Sequence, residues 1–449
     1  MRNEEMKTSR FTYKFNQEGA TYLYNSLTGL DSVMKVYDKN LQEEIRNHLE
    51  GNTIEQPNPI LVNLLKEKGY LVDGDTDELK LVESKKQKLL TDEKLTLTLI
   101  PTSGCNFKCV YCYEEFKPIM MSDKTIEDVV KFTEPLLKGK KVLFVNWFGG
   151  EPLLALDIME KLTAALRELC RTKKVAYFAG VTTNGYLLTI ENFKRLSACR
   201  VIDYQVSIDG LKEDHDRLRC LKNSKGTYDV IFKNLKRISE EITGNRFSIS
   251  IRCNCLKASK EKREEAETIF YENFGNDKRF SITLHAVMDW GGDSVNSLRS
   301  ELLTQEEEID LLTEALRDKS EKRMKKLTHL NVLDSRSNSC FACKTDNYVI
   351  GADGSIYKCT SDFGKPLGNV SDGRQPEEWY DISKQTELKE ECKDCAFYGA
   401  CMNTICPKAL KEGKLMCPVE KDCIDSLIGS MGKEYFNETL PGLYVYRKE

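Results

Sequence analysis

The chain has 449 residues, too many for one ordinary core, so two or three domains are expected. A formal charge of −4 offers no basic field for nucleic acid, and no apolar run approaches membrane-spanning length. The opening Met1-Arg2-Asn3-Glu4-Glu5 lacks the apolar stretch of a secretory signal. A cytoplasmic protein is therefore expected, with no nucleic-acid or membrane partner, and its 17 cysteines point to metal rather than disulfides.

Residues 1 to about 90 contain no cysteine. Phe11–Phe15 alternates like a strand, and Thr21–Asn25 can pair with it across a turn containing Gly19. Helices are expected over Ser32–Glu50 and Asn58–Lys68, the second carrying Leu61, Leu64 and Leu65 on one face. Gly69–Asp73 reads as a short strand. From Leu95 to about Lys319, strand and helix alternate. The expected strands are Leu95–Ile100, Val142–Phe148, Val175–Thr182, Tyr204–Ile208, Phe247–Cys253 and Phe280–Ala286. Amphipathic segments such as Thr125–Glu134, Asp157–Arg171 and Lys260–Asn273 lie between them. Such alternation argues for a parallel sheet with helices outside, with function at the C-terminal ends of the strands.

The chemistry-bearing motifs fall at those ends. After the first strand comes Cys105-Asn106-Phe107-Lys108-Cys109-Val110-Tyr111-Cys112. Thiolates are soft ligands for iron–sulfur clusters and zinc. Zinc would want a fourth Cys or His nearby, and the next His downstream is His215. Gly149-Gly150-Glu151-Pro152 follows the second strand, where glycines allow close approach to a ligand and a carboxylate can meet an ammonium group. Thr182-Thr183-Asn184-Gly185 ends the third strand and Ser207-Ile208-Asp209-Gly210 the fourth. Their short polar side chains can bond a ribose or carboxylate, cap the next helix, or do both. Cys170, Cys199, Cys220, Cys253 and Cys255 are scattered and read as small buried apolar residues. The charged stretch from Trp290 through Lys319, Lys322, Arg323 and Lys325 reads as a solvated face between domains.

A second cysteine series begins at Cys340. Cys343, Gly354 and Cys359 are followed by Cys392, Cys395, Cys401, Cys406, Cys417 and Cys423. Gly351–Ser355 is a hairpin turn between Tyr348-Val349-Ile350 and Ile356-Tyr357-Lys358. Taken alone, Cys392-x2-Cys395 would also suit zinc.

The Cys105 loop, with Tyr111 before its third cysteine, resembles the CxxxCxΦC signature of radical S-adenosylmethionine (SAM) enzymes. Gly149–Pro152 resembles their GGEP motif, and the Cys340 series resembles a SPASM domain. One departure is that four residues separate Cys401 from Cys406, where three are usual. The resemblance implies an α/β fold: a partial (β/α)6 TIM-type barrel with an N-terminal winged-helix-like domain and a C-terminal iron–sulfur SPASM domain. The boundaries expected are a leader-binding domain at 1–90, the barrel at 91–330, SPASM at 331–425 and a tail at 426–449. The N-terminal segment resembles the recognition element of maturases of ribosomally made peptides, in which a leader adds a strand to a sheet edge; a plain structural cap is the alternative.

The same resemblance implies SAM and three [4Fe–4S] clusters, about twelve irons in all. Cys105, Cys109 and Cys112 would hold the core cluster. Cys340, Cys343, Cys359 and Cys406 would hold one auxiliary cluster, and Cys392, Cys395, Cys401 and Cys417 the other, with Cys423 competing for the last place. Tyr111, Gly149, Gly150, Glu151, Pro152, Thr183, Asn184, Ser207 and Asp209 would contact SAM. Arg219, in the HDxxR-like run from His215, would pair with its carboxylate. The implied activity is that of an oxidoreductase: radical modification of a precursor peptide through a 5′-deoxyadenosyl radical, closing a thioether or carbon–carbon crosslink. A low-potential electron donor such as flavodoxin or ferredoxin would be a partner. Formylglycine formation by a sulfatase maturase is an alternative, and a non-catalytic iron–sulfur or zinc protein is another; no general base is identified.

Overall fold

The computed structural model describes residues 6–91, 93–114, 118–257, 260–287, 294–304, 306–310, 333, 339–364, 366–372, 388–404, 406, 408–409, 413–432 and 435–446. Trp290, Lys319, Lys322, Arg323 and Lys325 lie outside them. The strands, in chain order, are β1 (Met6–Thr8), β2 (Thr12–Gln17), β3 (Ala20–Asn25), β4 (Gly29–Val36) and β5 (Leu71–Asp73). Then come β6 (Lys94–Leu99), β7 (Val142–Trp147), β8 (Ala176–Thr183), β9 (Val201–Ser207), β10 (Ser248–Cys255) and β11 (Phe280–Ala286). The last are β12 (Asn347–Ile350), β13 (Ser355–Tyr357), β14 (Gly368–Asn369), β15 (Phe436–Leu440) and β16 (Leu443–Tyr446).

Two compact units result. The first gathers residues 1–91, 305–344 and 380–449; the second gathers 92–304 and 345–379.

In the first unit a five-stranded antiparallel sheet has the order β15-β16-β4-β3-β2. The helix expected from Ser32 is instead strand β4 followed by α1 (Lys39–Glu50). The Asp38 side chain accepts the Leu41 N–H at 2.9 Å and so starts the helix there, an N-cap that the apolar run before it obscured. Asn58 caps α2 (Pro59–Glu67) in the same way. α3 (Glu78–Leu90), started by Asp77, was not expected from the pattern. One face of the sheet, with Tyr22, Tyr24 and Val33, packs on Phe397, Ile424, Leu427 and Ile428. The other, with Leu23, Met34 and Val36, packs on Ile45, Leu61, Leu64 and Leu65. Each of these aliphatic side chains contributes about 1.5–3 kcal/mol on burial.

The second unit holds a nine-stranded sheet, β11-β10-β9-β8-β7-β6-β12-β13-β14. β6 to β11 are parallel and adjacent in chain order. Helices α4 (Asp123–Leu136), α5 (Leu156–Lys173), α6 (Ile190–Ala198), α7 (Lys212–Leu218), α8 (Tyr228–Glu241) and α9 (Lys260–Phe274) lie between successive strands in sequence. The core forms from alternate residues: Leu143, Val145 and Trp147 of β7 are fully buried and cluster with Met159, Leu162 and Leu166 of α5. The expected hairpin at Gly351–Ser355 is present, with β12 laid parallel along β6 through Val349↔Thr98 and Ile350↔Leu99.

Because the sheet of residues 12–36 supplies one side of the core around Phe397, Ile424 and Leu427, removing residues 1–91 is expected to expose those side chains. Limited proteolysis should then cut within 388–446 in the truncated protein and spare that region in the full chain.

Candidate active site

The Cys105 loop leaves the end of β6 and has no regular structure, so other segments must satisfy its backbone. Thr102 bridges Met120, and Ser103 N donates to Ile119 O at 3.1 Å. Lys108 N donates to Cys220 O at 2.9 Å, Val110 N to Leu218 O at 3.0 Å, and Lys222 N to Asn106 O at 3.2 Å. The loop is therefore pinned between the end of β6 and the segment after α7.

Gly149 and Gly150 fit against its entrance. A Cβ on Gly150 would lie 2.3 Å from Gly104 O; one on Gly149 would lie 2.5 Å from an Ile100 methyl, and its φ of +106° already disfavours other residues. These glycines are required by the cysteine loop itself, a reason not visible in the sequence. Glu151 N donates to Gly104 O at 2.9 Å. The Glu151 carboxylate is fully buried and accepts from Thr183 Oγ1 (2.7 Å), Leu153 N (3.1 Å) and Asn184 N (2.7 Å). Burial pushes its pKa up, against these hydrogen bonds. Three of roughly four acceptor positions are thus used internally. Pro152 opens the short 3-10 turn that follows. Asn184 Nδ2 donates to Asn106 Oδ1 at 2.8 Å, tying the end of β8 to the loop.

A second buried network surrounds Tyr111. Its hydroxyl donates to Asp209 Oδ2 and accepts from Arg219 Nη1 (2.7 Å) and Asn254 Nδ2 (3.2 Å). Asn254 N and Nδ2 both donate to Asp209 Oδ1 at 3.0 Å. Arg219 is buried, with its guanidinium over the Phe107 ring at 5.9 Å. Burial works against its charge, but Tyr111, Cys109 and Asp209 outweigh that and hold its pKa above the ordinary arginine value. Its buried Nε has no hydrogen-bond partner among the described residues. Arg217, by contrast, lies at the surface against Glu301 at 2.8 Å. Ser207 is buried in register with Arg252, but among the described residues no bond from its side chain joins the network.

Asn254 and Arg252 were not singled out from the sequence, and His215 entered there only as the start of the run that ends at Arg219. The signal for the first two was the alternation Ser248-Ile249-Ser250-Ile251-Arg252-Cys253-Asn254, which marks a polar strand face. Arg252 Nε donates to Asn254 Oδ1 at 2.9 Å, and burial lowers its pKa. His215 is fully buried: its Nδ1 accepts from Asp209 N at 3.1 Å, which leaves Nε2–H to donate to Thr227 Oγ1 at 3.0 Å. It holds the backbone of Asp209, and burial, then Arg219, depress its pKa to about 4.

Burial pushes the Cys105 and Cys112 thiols up to about 12 and also raises Cys109. Such sulfurs become thiolates when a bound metal supplies compensating charge. Among the described residues, no three Cys, His, Asp or Glu side chains converge on a point the size of a single ion. The all-thiol donor set suits an iron–sulfur cluster, and the orphaned Arg219 Nε beside it suits an anionic ligand group.

In the first unit, Cys392, Cys395, Cys401, Cys406 and Cys417 line one cavity. Cys423 is outside it, buried in an apolar cluster with Ile424 and Phe397. Cys340 and Cys343 are drawn to the same segment: Cys340 N donates to Thr404 O at 2.8 Å and Cys343 Sγ at 3.2 Å. A hydrogen bond from Cys343 lowers the Cys340 thiol to about 7 and raises its own. Cys359 is half-buried in the second unit. Cys170, Cys199, Cys253 and Cys255 are buried, as expected, and Cys220 is half-buried.

Comparison with known proteins gives a match to the Radical SAM superfamily over residues 99–265. The mycofactocin maturase MftC of Mycolicibacterium smegmatis is 30% identical over 166 residues, 36% of this chain and 38% of that protein. The chain thus spans well under half the length of that relative. A cysteine-type anaerobic sulfatase-maturating enzyme of Clostridium perfringens is 27% identical over 335 residues, 68% of this chain and 87% of that one. The structure of Streptococcus suis SuiB bound to precursor peptide SuiA shares the fold, with a TM-score of 0.52 at 17% identity, covering 91% of this chain and 97% of that one.

Two expectations follow from the site. Gly150→Ala should force the Gly104 carbonyl aside and cost about 1–3 kcal/mol; thermal unfolding should show the loss, and anaerobic reconstitution should show reduced iron. For His215, the folded pKa of about 4 lies below the unfolded value of about 6.5, so the unfolded chain takes up the proton first and stability falls as pH drops through that window. Between about pH 7 and pH 5 this amounts to roughly 2 kcal/mol. Denaturant titrations should show His215→Asn lacking that part of the pH dependence.

Proposed function

Given that the chain carries a radical SAM domain, we propose that it is an enzyme that modifies a ribosomally made precursor peptide by radical chemistry. The observation that carries this reading is the meeting of the Cys105 loop, Glu151, Asn184, Asp209 and Asn254 at the C-terminal ends of five adjacent parallel strands. Cys105, Cys109 and Cys112 would hold the core [4Fe–4S] cluster. Tyr111, Gly149, Gly150, Glu151, Pro152, Thr183, Asn184, Ser207, Asp209 and Arg219 would form the SAM site, with the free Arg219 Nε offered to the carboxylate. When bound, cluster and SAM supply a 5′-deoxyadenosyl radical for hydrogen abstraction. The chain's own residues do the positioning: Glu151 fixes the glycine turn, Asp209 and Asn254 fix Tyr111, and His215 fixes Asp209.

Cys340, Cys343, Cys359 and Cys406 are proposed for one auxiliary cluster and Cys392, Cys395, Cys401 and Cys417 for the other. The shared cavity favours Cys417 over Cys423. A thioether or carbon–carbon crosslink is the proposed product, with a flavodoxin or ferredoxin as electron donor. Residues 1–90, with their antiparallel strands and the helix carrying Leu61, Leu64 and Leu65, are proposed to bind the leader.

Sulfatase maturation is the second reading, supported by the alignment over 68% of the chain. A sulfatase-derived peptide and the product of any short Cys-containing reading frame found beside the gene can be offered as rival substrates. Formylglycine in the former and no change in the latter would select the second reading. The radical SAM site itself is tested by replacing Cys105, Cys109 and Cys112 together with Ala. About four of twelve irons should be lost and 5′-deoxyadenosine formation should cease; a variant that still cleaves SAM would remove these cysteines from the site.

A further inference from the structure

The sheet of the first unit offers few places for a strand to add. On one side, β2 is an edge strand flanked at its ends by contacts within its unit: Arg10 donates to Lys393 O, and Gln17 lies so close to Gly429 that a Cβ there would clash with it. On the other side, the outer edge of β4 is taken by β16. The pairs are Leu443↔Val36, Tyr444↔Lys35 and Val445↔Met34, and Tyr37 N donates to Gly442 O at 2.7 Å. Leu443 is fully buried in the cluster of Leu61, Leu64, Leu65, Met34 and Val36. It therefore fills the apolar groove between β4 and α2. Tyr444, on the other face, meets Tyr37 edge-on at 5.9 Å.

This hold is limited in extent. Among the described residues, β16 is in register with Met34, Lys35 and Val36 of β4. Its hairpin partner β15 shows exposed Asn437, Glu438 and Thr439, and its pairing is irregular between Glu438 and Leu440.

We propose that the β15–β16 hairpin is a built-in occupant of the edge that the precursor's leader uses: the leader adds antiparallel to β4 in place of β16. This rests on the peptide-substrate reading above. The β16 sequence describes the partner it stands in for, an extended segment with an aliphatic residue, an aromatic residue and a second aliphatic residue in succession. By this competition a hairpin docked at least nine-tenths of the time weakens the leader's apparent affinity by about ten-fold or more.

The test uses the full chain, a Leu443→Ser variant that keeps the hairpin but weakens its anchor, and a chain lacking residues 436–449. The probe is a fluorescein-labelled synthetic peptide with the sequence of residues 439–448, followed by anisotropy. The product of any short Cys-containing reading frame found beside the gene serves as the precursor, unlabelled and, in a parallel series, labelled. The probe should bind the shortened chain at least ten-fold tighter than the full chain, with Leu443→Ser between them, and the precursor should displace it. Labelled precursor should show the same order of affinities. Equal or weaker precursor binding on opening the edge, in both variants, overturns the proposal and leaves the peptide-substrate reading standing. Precursor that binds none of the three proteins, while the probe binds the shortened chain, overturns that reading instead. Probe that binds the shortened chain but is not displaced by a precursor that does bind also overturns the proposal.

Discussion

The contact on which the second unit's chemistry depends is the one between Gly150 and the Gly104 carbonyl. The loop that presents the three sulfurs is neither helix nor strand, so it has no hydrogen-bond ladder of its own. Its position is set by backbone groups borrowed from neighbours, and the tightest is the turn after β7, where no side chain fits and the Glu151 N–H reaches the same carbonyl. That turn is locked in its own right, since Glu151 is bound by Thr183 and by the Asn184 backbone at the end of β8. Asn184 then closes the circle on Asn106. Adjacent strand ends therefore hold one another, and the parallel register of the sheet decides where the sulfurs stand.

Electrostatics shape the rest of the site. Arg219 is a buried cation, which would be strongly unfavourable without partners. It has the Tyr111 hydroxyl at 2.7 Å and the Asp209 carboxylate at 3.9 Å, while Asn254 and His215 hold Asp209 in place. The thiols beside it are pushed toward their neutral form by the same burial. The site thus combines a fixed positive group with sulfurs that would take on charge on holding the proposed cluster. Such fixed groups need little rearrangement when ligands arrive, which is the basis of preorganised catalysis.

In the first unit, one sheet serves two covers. The tyrosine-bearing face lies on the segment that carries Cys392 to Cys423, and the aliphatic face lies on α1 and α2. Tyr13, on the first strand of the meander, stands near Cys395 and Cys401 and has its pKa raised by burial first and by those sulfurs second. The sheet proposed to grip a leader and the cysteines proposed to hold a cluster therefore share a core. A disturbance of either reaches the other through packed side chains.

Much of the second unit was legible in the chain itself. The strand–helix alternation, the Cys105 loop, the glycine turn and the polar ends of β8 and β9 are local patterns, readable because alternation, helical periodicity and turn residues leave short-range marks. The same holds for the Gly351–Ser355 hairpin. What the chain alone did not determine was long-range. That Gly150 needs to be glycine because of Gly104, that Asn254 and His215 serve Asp209, and that β12 lies along β6 are facts of register between segments far apart in sequence. The helix expected from Ser32 failed for the same reason: residues 32–36 are apolar enough for either structure, and pairing with β3 and β16 made them a strand. Only the folded chain brings its last strand back to the sheet formed by its first forty residues, because backbone hydrogen bonds between distant strands carry no sequence motif.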